Sequence, residues 1–241
     1  MSYEQRVQRF GKLLANLDGE IDWDTCATVY CEGDSEGFLG PERREAILDA
    51  GLLLVSDIGE VLQTKPKGRS LYIGAAVAEL APMMYEAIVL ERDVRWVALR
   101  SAEMFELDRA VKTIDGSLPR PRITPWKGKE FAPCDHIWMT SVLTDPVAFP
   151  ALHNELYERQ GTAEAVKGGH PKAERETAKI LVQEALEAAA HETLLTTTDE
   201  ELQVFGPAVA AAGGTLSAAQ TGRLNGLVGD VVRLCHISFP R

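Results

Sequence analysis

The spacing of apolar positions changes near residue 68. Before it, they recur at helical intervals. Val7, Phe10, Leu13, Leu14 and Leu17 mark one face of a helix over residues 3–17, and Gly19 suits its stop. Pro41 followed by Glu42 opens a second helix that runs through Ala46, Ile47 and Ala50. A short third helix spans Asp57–Gln63. Between the first two, Ile21 to Gly40 mixes Trp23, Tyr30 and Phe38 with Gly33, Gly37 and Gly40, which reads as an irregular segment carrying aromatics. Lys65-Pro66-Lys67-Gly68 is a turn that stops helix and starts strand. Residues 1–66 therefore form a helical N-terminal region without an obvious core of its own.

From residue 70 onward, short apolar runs alternate with amphipathic stretches. That alternation predicts a mostly parallel sheet covered by helices on both faces. The expected strands are Leu71–Ile73, Ala87–Glu91, a short one at Arg122–Thr124, Cys134–Leu143, Thr193–Thr196, Thr215–Ala218 and Val231–Phe239. One helical stretch takes Val97, Leu99, Met104, Leu107 and Val111 as its apolar positions. Others cover 149–160, Lys172–Ala190 and Asp199–Ala211, the last with Asp199 and Glu200 in its first turn, where acids favour the helix dipole. Asn225-Gly226 is a turn signal between the last two strands, so the chain closes on a hairpin.

The stretch with most chemical content is Arg69 to Leu80. An apolar strand enters a small-residue turn, Gly74-Ala75-Ala76-Val77-Ala78, and the turn opens a helix. Such a turn lets backbone approach a ligand, and the helix start offers unpaired N–H groups. The next apolar run ends on Glu91, an acid suited to ribose hydroxyls. The combination suggests a nucleotide-like cofactor.

The formal net charge of −11 argues against broad phosphate-driven binding of nucleic acid. Lys65, Lys67 and Arg69, and again Arg120, Arg122, Lys127 and Lys129, form small basic clusters that read as solvated loop charge. Cys26, Cys31, Cys134 and Cys235 are too scattered for a disulfide framework or a paired metal motif, so no metal is expected. The start of the chain has no apolar signal core, and no run reaches the ~20 residues that cross a bilayer. The expectation is a cytoplasmic protein.

The order of these elements resembles a class I S-adenosylmethionine-dependent methyltransferase. The resemblance implies a seven-stranded, mostly parallel Rossmann-like sheet with a C-terminal antiparallel hairpin over 67–241, and residues 1–66 as a helical cap over the substrate pocket. It places the family's glycine motif on Gly74, Ala76 and Ala78, and its ribose-binding acid on Glu91. It also places the substrate-facing strand edge on Thr140 to Asp145, with Asp145 as the candidate base. Four features depart from the family pattern. Ala76 and Ala78 replace glycines, and Tyr72 stands where an acid is usual. The span from Gly74 to Glu91 is short, and Pro82 falls inside its helix.

The resemblance implies S-adenosylmethionine as cofactor and S-adenosylhomocysteine as product. The Asn/Asp-Pro-Pro-aromatic motif of the DNA and glutamine methylating members is reduced to Thr144-Asp145-Pro146-Val147. With the acidic balance, this favours a small-molecule or peptide acceptor over nucleic acid. Oligomeric state, a homodimer included, is left open. Two other readings remain. One is a degenerate methyltransferase fold kept as a binding or scaffold protein, and the other is a nicotinamide-dependent Rossmann enzyme. Asp135, His136 and His236 read as structural, and His153, His170 and His191 as surface or helix residues. Trp23, Tyr30 and Phe38 read as packing or as pocket lining.

Overall fold

A computed structural model describes residues 1–30, 38–65, 67–98, 101–122 and 125–240. Cys31, Gly33, Gly37, Pro66, Leu99 and the end of the expected strand at Arg122–Thr124 lie outside the described residues. The fold is mixed α/β, with mostly parallel strands and an antiparallel C-terminal pairing. The chain divides into two compact units, Met1–Pro125 with Arg223–Gly229, and Trp126–Gly222 with Asp230–Arg241.

The first unit carries α1 (Tyr3–Glu20), α2 (Trp23–Ala27), α3 (Pro41–Leu62), β1 (Arg69–Ile73), α4 (Leu80–Ile88), β2 (Asp93–Val97), α5 (Ala102–Ile114) and β3 (Pro121–Arg122). Its strands run β3-β2-β1, all parallel. Ser2 and Gln5 form a reciprocal cap that starts α1, and Phe10, Leu14 and Leu17 bury its inner face. The two helices expected over 41–63 are one. Gly51 is not a break but a close approach, since a Cβ there would meet the Ala81 Cβ at 3.3 Å. The helices of residues 1–62 pack in the same unit as β1–β3. Phe10 meets the Tyr85 ring edge-on at 5.7 Å, and Arg6 Nε donates to the Val89 carbonyl at 2.8 Å.

The second expected strand is corrected. Ala87 and Ile88 end α4, and the strand begins at Asp93. α4 is buried on almost every side (Leu80, Ala81, Pro82, Met83, Met84, Glu86 and Ile88), so its sequence carries no polar stripe and mimics a buried strand. Pro82 lies in the first turn of α4, where no intrahelical N–H bond is lost.

A buried polar network fixes where β2 starts. Ser70 and Tyr72 point to one face of β1 and both donate to Glu86 of α4, the Tyr72 hydroxyl at 2.6 Å. Arg92, one residue before β2, reaches Glu86 at 3.0 Å, Ser70 at 2.8 Å and the Lys65 carbonyl at 2.6 Å. The side chains of Arg92 and Glu86 are both 0% exposed. Tyr72 thus holds α4 onto β1.

The second unit carries β4 (Cys134–Met139), α6 (Pro150–Leu156), α7 (Pro171–Ala188), β5 (Ala189–Thr198), α8 (Asp199–Ala211), β6 (Thr215–Ala218) and β8 (Val231–Ser238). A two-residue strand, β7 (Arg223–Leu224), belongs to the first unit and adds to the seven expected. β4 pairs parallel with β5, β8 runs antiparallel to β5, and β6 is antiparallel to β8 at the edge. The expected hairpin strands are therefore present. β5 is ten residues long, far beyond the expected Thr193–Thr196. β4 is shorter than expected and ends at Met139.

Among the described residues, no helix is long and apolar enough to cross a membrane. Among them, too, no group of three or more His, Cys, Asp or Glu could hold a metal ion.

Candidate cofactor site

The turn after β1 is built as a sharp corner. Gly74 has φ 69°, a left-handed conformation that favours glycine, and its N–H extends the ladder to the Val97 carbonyl at 2.8 Å. Ala76 has φ −115°, which any L-residue adopts, so alanine brings no strain there. Ala78 lies in a single 3-10 turn, Val77–Glu79, that leads into α4. Trp96 of β2 donates its indole N–H to the Ala75 carbonyl at 3.2 Å.

Two buried carboxylates meet this turn. Glu79 accepts from the Ala76 N–H at 2.9 Å and from the Asn225 amide at 3.3 Å. Glu103 accepts from the Val77 N–H at 3.3 Å and from the Tyr30 hydroxyl at 2.7 Å. Each of these acids is 4% exposed. Ser101 caps α5 through the Met104 N–H, which sets Glu103 in the helix's first turn beside the carboxyl end of β2.

Glu91 is elsewhere. β1 and β2 are parallel, with Arg69 opposite Asp93 and Ile73 opposite Val97. Gly74 follows the carboxyl end, whereas Glu91 precedes the amino end. The two are separated by a five-residue strand of roughly 16 Å at ~3.3 Å per residue. Glu91 pairs with Arg6 at 3.0 Å and its side chain is 48% exposed. The structure brings Gly74, Ala76 and Ala78 together and leaves Glu91 out. The residue that follows β2 is Ala98, which has no acidic group.

The second unit shows the β4 edge. Asp145 Oδ1 accepts from the Val147 and Ala148 N–H groups at 2.7 and 2.8 Å, forming a turn. Glu201 is the organising residue, and sequence reasoning missed it. It accepts from the N–H groups of Ser141, Val142 and Leu143 and from the Thr197 and Thr198 hydroxyls. Thr198, the cap of α8, stands three residues before Glu201, a capping-box spacing that was a readable signal.

Burial pushes Glu201 up to about 7, although its hydrogen bonds pull the other way. The folded state then holds a proton that the unfolded chain releases near 4.5, so stability falls as pH rises from about 4.5 to 7. Denaturant titrations across that window should show the fall, and Glu201→Gln should flatten it.

Of the other candidates, His136 is buried against Thr196 Oγ1 at 2.9 Å. His153 is buried too, its Nδ1 on the Thr144 carbonyl at 2.6 Å. Trp23 packs under Arg44, and Tyr30 stacks on Phe38 at 5.7 Å. Cys26, Cys134 and Cys235 are buried.

No protein-family model matches the chain, and no curated protein matches it in sequence. Among solved structures, magnesium protoporphyrin IX methyltransferase from Synechocystis, with bound SAM, aligns over 89% of this chain and 90% of its own, with a TM-score of 0.51 and 13% identity. The fold is that of a class I methyltransferase. At that identity the likeness speaks for the methyltransferase fold alone and leaves the substrate open. Two looser likenesses add nothing to it. TrmN from Thermus thermophilus is 13% identical, with 80% of this chain and 52% of that one covered and a TM-score of 0.47. Fibrillarin from Aeropyrum pernix is 15% identical, with 80% and 76% covered and a TM-score of 0.45.

Proposed function

We propose that the chain is an S-adenosylmethionine-dependent methyltransferase that holds its cofactor at the turn after β1 and acts on a small molecule or peptide. The observation that carries this reading is the convergence of Glu79 and Glu103 on the Gly74 turn at the carboxyl end of β1. The donor set fits the cofactor. Carboxylates accept from ribose hydroxyls and from the ammonium of the methionine portion, and the glycine corner admits close backbone approach. In this reading Glu103 takes the part expected of Glu91, and Gly74, Ala76 and Ala78 line the turn.

When bound, the cofactor supplies an electrophilic methyl group on a sulfonium. The chain's part is to align the acceptor and, for a protonated acceptor, to take its proton.

The test compares S-adenosylhomocysteine affinity among variants. Glu103→Gln is expected to weaken binding about tenfold or more, the loss of a charge-assisted hydrogen bond worth ~1.5–3 kcal/mol. Glu91→Ala is expected to leave it unchanged. The reverse pattern would return the ribose role to Glu91.

A second reading, a scaffold that binds no cofactor, draws on one observation. The Ala76 and Val77 N–H groups are already held by Glu79 and Glu103, and Ala75, Val77 and Ala78 are buried. Failure of wild-type chain to bind S-adenosylhomocysteine would favour it.

A further inference from the structure

The hydrogen bond from Tyr30 to Glu103 has no role in methyl transfer, yet it falls on the acid assigned to the cofactor. The Tyr30 hydroxyl donates to Glu103 Oε2 at 2.7 Å, while Glu103 Oε1 accepts from the Val77 N–H of the turn. Phenol and ribose hydroxyls offer a carboxylate the same O–H donor, and one such oxygen accepts from them in the same place. Burial and the neighbouring Glu103 push the phenol well above its ordinary value, so it keeps its proton and donates throughout the neutral range.

Backbone hydrogen bonds join Tyr30 to the end of α2. Tyr30 N–H bonds back to the Ala27 carbonyl at 3.0 Å, and Val29 N–H to the Cys26 carbonyl at 3.3 Å, so Tyr30 is tied to the last turn of α2. At the other end of α2, the Asp22 N–H donates to Glu106 Oε1 at 2.7 Å. Glu106 is itself held by Arg109, at 2.6 and 2.8 Å. Glu103 and Glu106 are three residues apart, on one face of α5. α2 is therefore pinned to α5 at both ends. One pin, Asp22 on Glu106, lies away from the glycine turn, and the other, Tyr30 on Glu103, lies on it.

We propose that Tyr30 is an internal competitor for the cofactor. Its hydroxyl occupies the ribose position on Glu103 in the ligand-free chain, and a bound ribose displaces it, freeing the last turn of α2 about the Asp22–Glu106 anchor. The inference rests on the cofactor reading above and adds a regulatory contact to that site. It accounts for a half-buried phenol aimed at an acid that lines a ligand turn. It also makes the N-terminal helices responsive to occupancy of the turn, because α2 must yield Glu103 before a ribose can take it.

The experiment is calorimetric titration of the full chain with S-adenosylhomocysteine, wild type against Tyr30→Phe, with amide hydrogen exchange over residues 22–30 of the wild type. Tyr30→Phe keeps the ring and its stacking on Phe38 and removes only the hydroxyl. The expected result is affinity about tenfold tighter in the variant, since a charge-assisted hydrogen bond no longer has to be broken. In the wild type, the ligand should speed exchange at Cys26 to Tyr30. Equal or weaker affinity in Tyr30→Phe, or exchange at Cys26 to Tyr30 unchanged or slowed by ligand, overturns the competitor while leaving the cofactor reading in place. Binding by neither protein overturns the cofactor reading and the competitor with it.

Discussion

Arg92→Ala is expected to destabilise the chain by about 3–5 kcal/mol, because it removes the guanidinium that meets the buried Glu86 carboxylate at 3.0 Å. For a chain of this size that is a melting temperature lower by roughly 6–20 °C, at ~2–4 °C per kcal/mol. The loss goes beyond one ion pair. Arg92 also donates to Ser70 and to the Lys65 carbonyl, so β1, α4 and the start of β2 are joined through one guanidinium. The paired replacement Glu86→Leu with Arg92→Met is expected to cost much less, since no charge is left without a partner. Thermal denaturation of the three proteins measures this. Equal losses for the single and the paired variants would mean that packing, not charge, sets the cost.

Glu201→Ala is expected to cost a similar amount, about 3–5 kcal/mol. It leaves the N–H groups of Ser141, Val142 and Leu143 without an acceptor, at roughly 1–3 kcal/mol each, with water entry relieving part of the loss. Ser141 has φ 57°, so the strand-end turn is also a position that needs outside support. Glu201→Gln should recover about half of the loss, because one amide oxygen can still serve Val142 and Leu143. Chemical denaturation at pH 7 reads both variants. A loss below about 1 kcal/mol for Glu201→Ala would show that the turn supports itself.

The elements that sequence alone made legible are those whose pattern has one interpretation. Leu71–Ile73 followed by Gly74 and small residues reads as strand into turn, because few other structures use that order. Asp199–Ala211 reads as a helix from its acidic start, and the structure has it at those bounds. The closing strands, expected at Thr215–Ala218 and Val231–Phe239 from their turn signals, are found at Thr215–Ala218 and Val231–Ser238. Ala87–Glu91 failed because a helix buried on nearly all sides shows neither period. The true strand, Asp93-Val94-Arg95-Trp96-Val97, does alternate polar and apolar residues, and that signal was available. That misreading put Glu91 at the carboxyl end of a strand, whereas it precedes the amino end of β2.

The polar parts of the site were illegible for a different reason. Glu86, Arg92 and Glu103 are charged residues that pattern reading assigns to a solvated face, as is Glu201 unless its capping-box spacing from Thr198 is noticed. Each is buried because partners distant in sequence satisfy it, and a pairing such as Tyr30 with Glu103 or Ser141 with Glu201 leaves no trace in local spacing. The glycine turn itself was read correctly as a corner. Ala76 and Ala78 are accommodated in it because only Gly74 takes the left-handed conformation.

The central claim is that the turn after β1 binds S-adenosylmethionine. The most direct measurement is calorimetric titration of the purified wild-type chain with S-adenosylhomocysteine, with NAD as the control ligand. Micromolar binding of S-adenosylhomocysteine and none of NAD is the predicted result. Binding of neither, or of NAD alone, would contradict the account.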